Sequence, residues 1–414
     1  MNKFLNEFKD RGYFYQCTNE IELSRLLDHK KINAYIGFDS TASSLHVGSL
    51  MQIMCLRLLQ KHGHRPIVLL GGGTTRIGDP SGKEETRKIL SEKKIESNIK
   101  NIEKVFKIFL QTKDPKLKPI FVNNYKWLRK LNYINFLREI GKHFTINKML
   151  SFESVKLRLE REQSLSYMEF NYMILQAYDF LELNKNKNCM LQIGGSDQWG
   201  NIVNGVELIK RHSNKHVFGL TTPLITLASG TKMGKTEKGA VWLDKKLLSP
   251  YEYYQFWRNT DDRDVIKFLK MFTDIKISEI ENMRNTNINN LKEKLAIEAT
   301  KMLHGEKEAD KAFKTSIDVF VNKKINQENT QLPIISIKKK EIKESLDILN
   351  LVVKSNLLKS KGEVRRAIKD KGIKINDKPV DHDNYLISLK IFKDTGSIKL
   401  SHGKKNHVLI KLIS

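Results

Sequence analysis

Two short segments of this chain carry the residue types that handle phosphate. The first, YIGFDSTASSLHVGSL (35–50), runs from an apolar stretch through small polar residues into the apolar-periodic MQIMCLRLLQKHG. That order predicts a strand, a loop and a helix, and a helix N-terminus offers unpaired N–H groups and the positive end of its dipole to an anion. His46 adds an imidazole N–H, Ser49 a hydroxyl donor, and Gly48 lets a nucleotide approach the backbone. The second segment, GTKMGKT (230–236), sets Lys232 and Lys235 three residues apart between glycines, the composition of a mobile surface loop. Two such lysines can close over a polyphosphate. They would stabilise the charge that develops as an α-phosphate is attacked and pyrophosphate leaves, which is electrostatic catalysis without a covalent nucleophile.

A third group reads as a small-molecule pocket. In SYMEFNYMILQAYDFLEL, Tyr172, Gln176 and Asp179 follow one another at spacings of four and three, so a helix places them on one face. Polar groups within an apolar helix are costly to bury unless a ligand or neighbour satisfies them, and a small polar molecule would do so.

Taken as a pair, HVGS and KMGKT resemble the HIGH and KMSKS signatures of class I aminoacyl-tRNA synthetases. YIGFDSTASSLHVGSL, GGGTTRIGDPSGK, YMEFNYMILQAYDF and IGGSDQWGNI further resemble the bacterial-type tyrosyl branch of that class, and the similarity extends along essentially the whole chain. The resemblance implies a Rossmann-like catalytic domain, ATP as substrate with Mg2+ bound to it, no tightly bound metal, and a homodimer acting on tyrosine and its tRNA. It also implies site roles. Tyr35 and Asp179 would hydrogen-bond the phenol, while Tyr172, Gln176 and Asp79 hold the α-ammonium and Gln198 lies near the carboxylate. Gly37, Asp39, Thr41, His46, Gly48, Ser49, Gly195, Asp197, Lys232, Lys235 and Thr236 would line the ATP side. Asp197 would meet the ribose, with Thr41 and His46 meeting the γ-phosphate in the transition state. Lys83 and Arg87, after the turn DPSG, resemble a second set of phosphate contacts. Three positions depart from the family pattern: Ser40 replaces a frequent proline, Ser49 a histidine or asparagine, and Gly234 a serine. None of these changes removes an obligatory group.

The elements that must position these residues follow from patterning. Apolar runs at 33–38, 66–71, 119–123 and 189–193 mostly lead into Gly-, Ser- or Asp-rich turns and then helix-period segments. This α/β rhythm predicts a parallel sheet with ligands at the carboxyl ends of its strands. At 414 residues the chain is long enough for more than one core. We expect a Rossmann-like catalytic domain at 1–230, the lysine loop and a helical anticodon-arm domain at 231–321, a linker at 322–342 and a small α+β module at 343–414.

Within that last module, residues 346–385 read as a helix, a turn at Lys361-Gly362, a basic helix, a strand GIKIN and a hairpin-like turn, and they resemble an S4 RNA-binding domain. From Glu341 to Ser414 there are 16 Lys and Arg against 9 Asp and Glu. Arg365, Arg366, Lys369 and Lys371 would grip an RNA backbone by charge and shape. The whole chain carries a formal charge of +26, which favours polyanionic partners.

Composition also narrows the class of protein. Cys17, Cys55 and Cys189 lie far apart without a CxxC pair, so no disulfide framework or zinc cluster is indicated. No apolar stretch reaches the length of about 18 residues that a membrane span needs, so a cytoplasmic protein is expected. A tryptophan-specific synthetase would share the architecture, but it would have no need of Tyr35 and Asp179 facing a phenol. A small-molecule nucleotidyltransferase would not need residues 249–414, and a non-catalytic RNA-binding protein would not need Asp39, His46, Asp197, Lys232 and Lys235.

Overall fold

The computed structural model describes residues 2–79, 90–231, 233–236, 239–319, 332–392, 396–403 and 406–413. The chain divides into two units, Met1–Leu248 with Gln255–Gly305, and Ser249–Tyr254 with Glu306–Ser414.

The first unit is built on a six-stranded sheet: β1 (Gln16–Cys17), β2 (Asn33–Asp39), β3 (Arg65–Gly71), β4 (Ile120–Asn123), β5 (Cys189–Gly195) and β6 (Phe218–Thr222). Its order is β1-β6-β5-β2-β3-β4. All neighbours run parallel except β1 against β6. The chain therefore builds outward from β2 through β3 to β4, then returns to the other flank of β2 for β5 and β6. The reversal opens a crevice beyond the carboxyl ends of β2 and β5, where open α/β sheets bind ligands.

Side-chain alternation divides the sheet into two faces. Tyr35, Ile67 and Leu69 share an apolar cluster with residues of the helices Tyr167–Lys187 and Trp199–Ser213. Phe38 faces the other way and meets Phe106 of the helix Glu92–Phe109 with ring centroids 4.7 Å apart. The helix Leu50–Lys61 is buried almost all round, as its nearly unbroken apolar sequence demands.

The helix Tyr167–Lys187, which carries the three pocket candidates, is fixed at both ends. Ser166 and Glu169 form a reciprocal capping box, and Asn188 closes the helix in a left-handed conformation at φ 47°. Arg158 bonds Glu169 at 3.1 Å with both side chains buried.

Between Ser249 and Val319 the described residues are helical with no strand, comprising Pro250–Arg258, Val265–Phe272, Ile277–Asn282, Ile288–His304 and Glu306–Ile317 together with short helical turns.

The second unit holds a five-stranded sheet of β9 (Ile334–Lys338), β10 (Ile373–Ile375), β11 (Lys378–Pro379), β12 (Ser397–His402) and β13 (Asn406–Ile413), in the order β11-β10-β12-β13-β9. Helices Ile348–Lys354 and Lys361–Lys369 bury their apolar faces in the same core as the sheet. Each fully buried Ile, Leu or Val there contributes about 1.5–3 kcal/mol. Asn376 and Asp377, at φ 47° and 66°, form the tight turn between β10 and β11, a position suited to residues that tolerate the left-handed region.

Two expectations need correction. Residues 334–338, read as part of a linker, pair in parallel with β13 and belong to the sheet, and residues 339–343 are helical. Lys361 and Gly362, read as a turn, are the first residues of a helix, because the Ser360 hydroxyl accepts from the Glu363 N–H and caps it.

Candidate active site

At the crevice, the first group of side chains surrounds Asp179. Its carboxylate is 2% exposed and accepts from Asn124 Nδ2 at 2.8 Å and Trp127 Nε1 at 2.7 Å. Burial pushes the carboxyl up to about 7; the two donors pull it down, and the charges of Asp39 and Glu182 add to the rise. Tyr35, in the middle of β2, is 1% exposed and its hydroxyl has no partner among the described residues. Burial first, then the Asp179 charge, holds that phenol well above its ordinary value, so it stays protonated. A buried hydroxyl without a partner costs free energy unless a ligand satisfies it. An orphaned hydroxyl near a charged acceptor therefore suits one ligand hydroxyl that both donates and accepts.

A second polar group converges on Gln198. Its Nε2 donates to Asp79 Oδ2 at 3.0 Å, and its Oε1 accepts from Asn201 Nδ2 at 3.1 Å; the same Nδ2 reaches Gln176 Oε1 at 3.2 Å. Because a carboxylate only accepts, Asp79 fixes the orientation of each amide in turn. Tyr172, 6% exposed, lies two turns before Asp179 on the same helix, and about 10 Å of helix axis separates them.

The third group surrounds His46. Its Nδ1 accepts from the Gly48 N–H at 3.0 Å, which places the ring proton on Nε2. His46 caps the 3₁₀ turn Val47–Ser49 that leads into the helix Leu50–Lys61. Val47 N–H donates to Val241 O and Leu243 N–H to Leu45 O, both at 2.9 Å, and Val241 N–H donates to Gly234 O at 3.1 Å. The two signature segments are thus joined through backbone hydrogen bonds. Gly48 and Gly234 have to lack side chains here: a Cβ on either would lie 2.8 Å from His46 Nδ1. Gly234, at φ 118°, also requires glycine for its backbone conformation.

Of the remaining candidates, Asp39 ends β2, while Gly37 and Thr41 are exposed along the same edge. Ser49 gives no side-chain cap to the helix it precedes. Asp197 is exposed on the 3₁₀ turn after β5, and a Cβ at Gly195 would come within 2.4 Å of its Oδ1. Ser40, in place of the frequent proline, donates its backbone N–H to Thr75 Oγ1 at 2.8 Å, a bond that proline cannot make. Lys83, Arg87 and Lys232 lie outside the described residues. Lys235 and Thr236 are described in their backbone, which pairs with Gly239 and Ala240. Among the described residues, no group of three or more His, Cys, Asp or Glu could hold a metal ion.

Sequence reasoning missed Asn124, Trp127, Asn201 and Trp242. The first two hold Asp179, and Asn201 links Gln176 to Gln198. Trp242 forms a bridge with His46, their rings 6.1 Å apart. In the basic module, Arg365, Arg366, Lys369 and Lys371 are all exposed, and Arg365 bonds Asp383 at 3.1 Å.

The model of the class I tRNA synthetases (W and Y) matches residues 27–321. The tyrosine–tRNA ligase of Pelagibacter ubique (strain HTCC1062) is 69% identical over 413 residues, covering 100% of both chains. That of Rickettsia bellii (strain RML369-C) is 49% identical over 412 residues, 99% of this chain and 100% of the relative. Among solved structures, a C-terminally truncated Aspergillus nidulans mitochondrial tyrosyl-tRNA synthetase superposes with a TM-score of 0.70 at 30% identity, over 77% of this chain and 94% of that one.

Proposed function

The chain belongs to the class I tRNA synthetases of the tryptophan and tyrosine type, and we infer that it activates L-tyrosine with ATP and transfers it to the 3′-terminal adenosine of its tRNA. The observation that carries the choice of tyrosine is the buried Tyr35 hydroxyl, without a partner among the described residues, in the pocket wall that also holds Asp179. A phenol entering there donates to Asp179 and accepts from Tyr35. Phenylalanine would leave the Tyr35 hydroxyl buried and unpaired and give the Asp179 carboxylate no third donor, which is where discrimination originates.

The first step joins a tyrosine carboxylate oxygen to the α-phosphorus of ATP and breaks the bond to the β-phosphate bridge, giving tyrosyl-adenylate and pyrophosphate. In the second step a ribose hydroxyl of the tRNA attacks the acyl carbon and AMP leaves. Neither step requires a covalent nucleophile from the protein. In our reading Asp79, Gln176 and Tyr172 hold the α-ammonium, Gln198 lies beside the carboxylate, and His46 Nε2–H donates to phosphate. Gly195 and Asp197 face the adenosine, with Lys232, Lys235 and Thr236 on the departing pyrophosphate and Lys83 and Arg87 as further phosphate contacts. Magnesium enters with ATP as the counter-ion of its phosphates. Groups aimed at charge that grows in the transition state raise kcat more than they tighten substrate binding.

We assign residues 1–230 to activation, 231–321 to the lysine loop and anticodon-arm contacts, and 343–414, through Arg365, Arg366, Lys369 and Lys371, to the tRNA backbone. We also assign a homodimer. Tyr133, Ile134, Leu137, Ile146 and Tyr167 expose apolar surface, and the Tyr133 and Tyr167 hydroxyls meet at 2.9 Å. A second copy would cover such a patch by the two-fold pairing commonest among soluble oligomers. No helix among the described residues is long and apolar enough to cross a membrane, and we place the enzyme in the cytoplasm. Charging of total tRNA with labelled tyrosine, phenylalanine or tryptophan tests the assignment. Label from tyrosine alone in the tRNA is expected, and tryptophan label would overturn the pocket reading.

A further inference from the structure

A line of buried hydrogen bonds runs between the phenol end of the pocket and the ATP side. Asn124 is fully buried and Thr74 is 3% exposed. One Asn124 Nδ2 proton goes to Asp179 Oδ2 at 2.8 Å and the other to Thr74 Oγ1 at 3.0 Å. The amide oxygen of Asn124 accepts from the Gly73 N–H at 2.7 Å, so its orientation is fixed. Thr74 Oγ1 then donates to Asp39 Oδ1 at 3.4 Å, the longest link of the line. With Asn124 donating to the Thr74 hydroxyl, that hydroxyl keeps its own proton to give to Asp39. The next residue, Thr75, accepts the backbone N–H of Ser40 and ties down the same loop a second time.

The surrounding chain is shaped around this contact. A Cβ on Gly71 would come within 2.6 Å of Thr74 Oγ1 and 2.8 Å of Asp39 Oδ1, so the end of β3 has to be bare where the two side chains meet. The short helix Thr74–Ile77 that carries both threonines is followed by Gly78, at φ 97°, and then by Asp79 of the amino end. One turn of helix therefore touches the ATP loop, the phenol end and the ammonium end.

We propose that Thr74 is a positioning residue that couples the two substrate sites, with its hydroxyl passing the state of Asp179 through Asn124 to Asp39 so that tyrosine and ATP bind cooperatively. Hydrogen bonds in a buried line polarise one another. When the substrate phenol donates to Asp179, less of that carboxylate's charge is available to Asn124. The amide then commits more to Thr74, and Thr74 to Asp39. Coupling of this kind is reciprocal: ATP must tighten tyrosine by the factor with which tyrosine tightens ATP.

The inference rests on the tyrosine and ATP assignments above, and the experiment separates their failure from its own. Calorimetric titrations of the full-length parent chain with tyrosine, and with the unreactive α,β-methylene analogue of ATP, are run with and without the other ligand. The same set is run on Thr74→Val, which keeps the shape and removes the hydroxyl, on Thr74→Ala and on Thr74→Ser. The parent is expected to show coupling of about five-fold or more, within the usual range for linked sites. Loss of that factor in the Val variant and its recovery in the Ser variant support the proposal; the Ala variant carries the comparison if the Val variant does not fold. Independent binding in the parent, or undiminished coupling without the hydroxyl, overturns it. A parent that binds neither ligand would overturn the site assignment itself.

Discussion

Trp127→Phe deletes the donor 2.7 Å from Asp179 Oδ1 while keeping an aromatic ring in its place. A hydrogen bond to a charged group contributes about 1.5–3 kcal/mol, and one pKa unit corresponds to about 1.4 kcal/mol. The carboxyl should therefore rise from about 7 to roughly 8–9. At pH 7.5 its ionised share would fall from about three-quarters to between about one-quarter and one-thirtieth, so kcat/KM for tyrosine should drop about 3- to 25-fold. The sign is set by charge. Asp179 already accepts two hydrogen bonds and has to be ionised to take a third from the phenol, so activity is lost as pH falls through its folded value. Stability runs the other way. The folded chain keeps this proton up to about pH 7, whereas an unfolded Asp loses it near about 4, so the stability it contributes is present at low pH and is lost as pH rises across that window. The assay is tyrosine-dependent ATP–pyrophosphate exchange from pH 6 to 9, read as the ratio of variant to parent so that titration of the substrate cancels. The ratio should climb with pH, to between about one-half and nine-tenths at pH 9. A ratio constant with pH, or an unmoved midpoint, would refute the assignment of Asp179 as the charged acceptor.

Three further outcomes are expected. Gly48→Ala places a Cβ 2.7 Å from the His46 ring and 2.8 Å from Met233 O; exchange should fall by about ten-fold or more with the melting temperature little changed, as misplacement of a catalytic group predicts. Arg158→Leu leaves Glu169 buried without its guanidinium partner and should cost about 3 kcal/mol in denaturant unfolding, and an unchanged midpoint would contradict the buried pair. Arg366→Glu should raise KM for tRNA several-fold and lower the salt slope of tRNA binding by about one, while exchange without tRNA stays at the parent value; an effect on exchange would contradict an RNA-only role.

Much of the fold was legible because apolar runs at 33–38, 66–71, 119–123 and 189–193 have the length and flanking turns of buried parallel strands, and each lies within or almost within an observed strand. The strand at 334–338 was not. Its alternation is short, Pro333 precedes it and lysines follow it, and only pairing with β13, far along the chain, gives IISIK a place in a sheet. Lys361-Gly362 looked like a turn from the dipeptide alone, while the S-x-x-E spacing of Ser360 and Glu363, a helix-start signature, carried the opposite message. In the site, the helical spacing of Tyr172, Gln176 and Asp179 was readable from periodicity. Asn124 and Trp127 were not, because NNYKWL has no chemical pattern of its own. Its side chains acquire a role only when the end of β4 brings them beside Asp179.

The central claim is that the pocket selects a phenol, and amino-acid-dependent ATP–pyrophosphate exchange tests it most directly, with tyrosine, phenylalanine and tryptophan supplied separately to the purified chain in the presence of magnesium. Exchange with tyrosine alone is predicted. Exchange with tryptophan, or equal exchange with phenylalanine, would contradict the roles given to Tyr35 and Asp179.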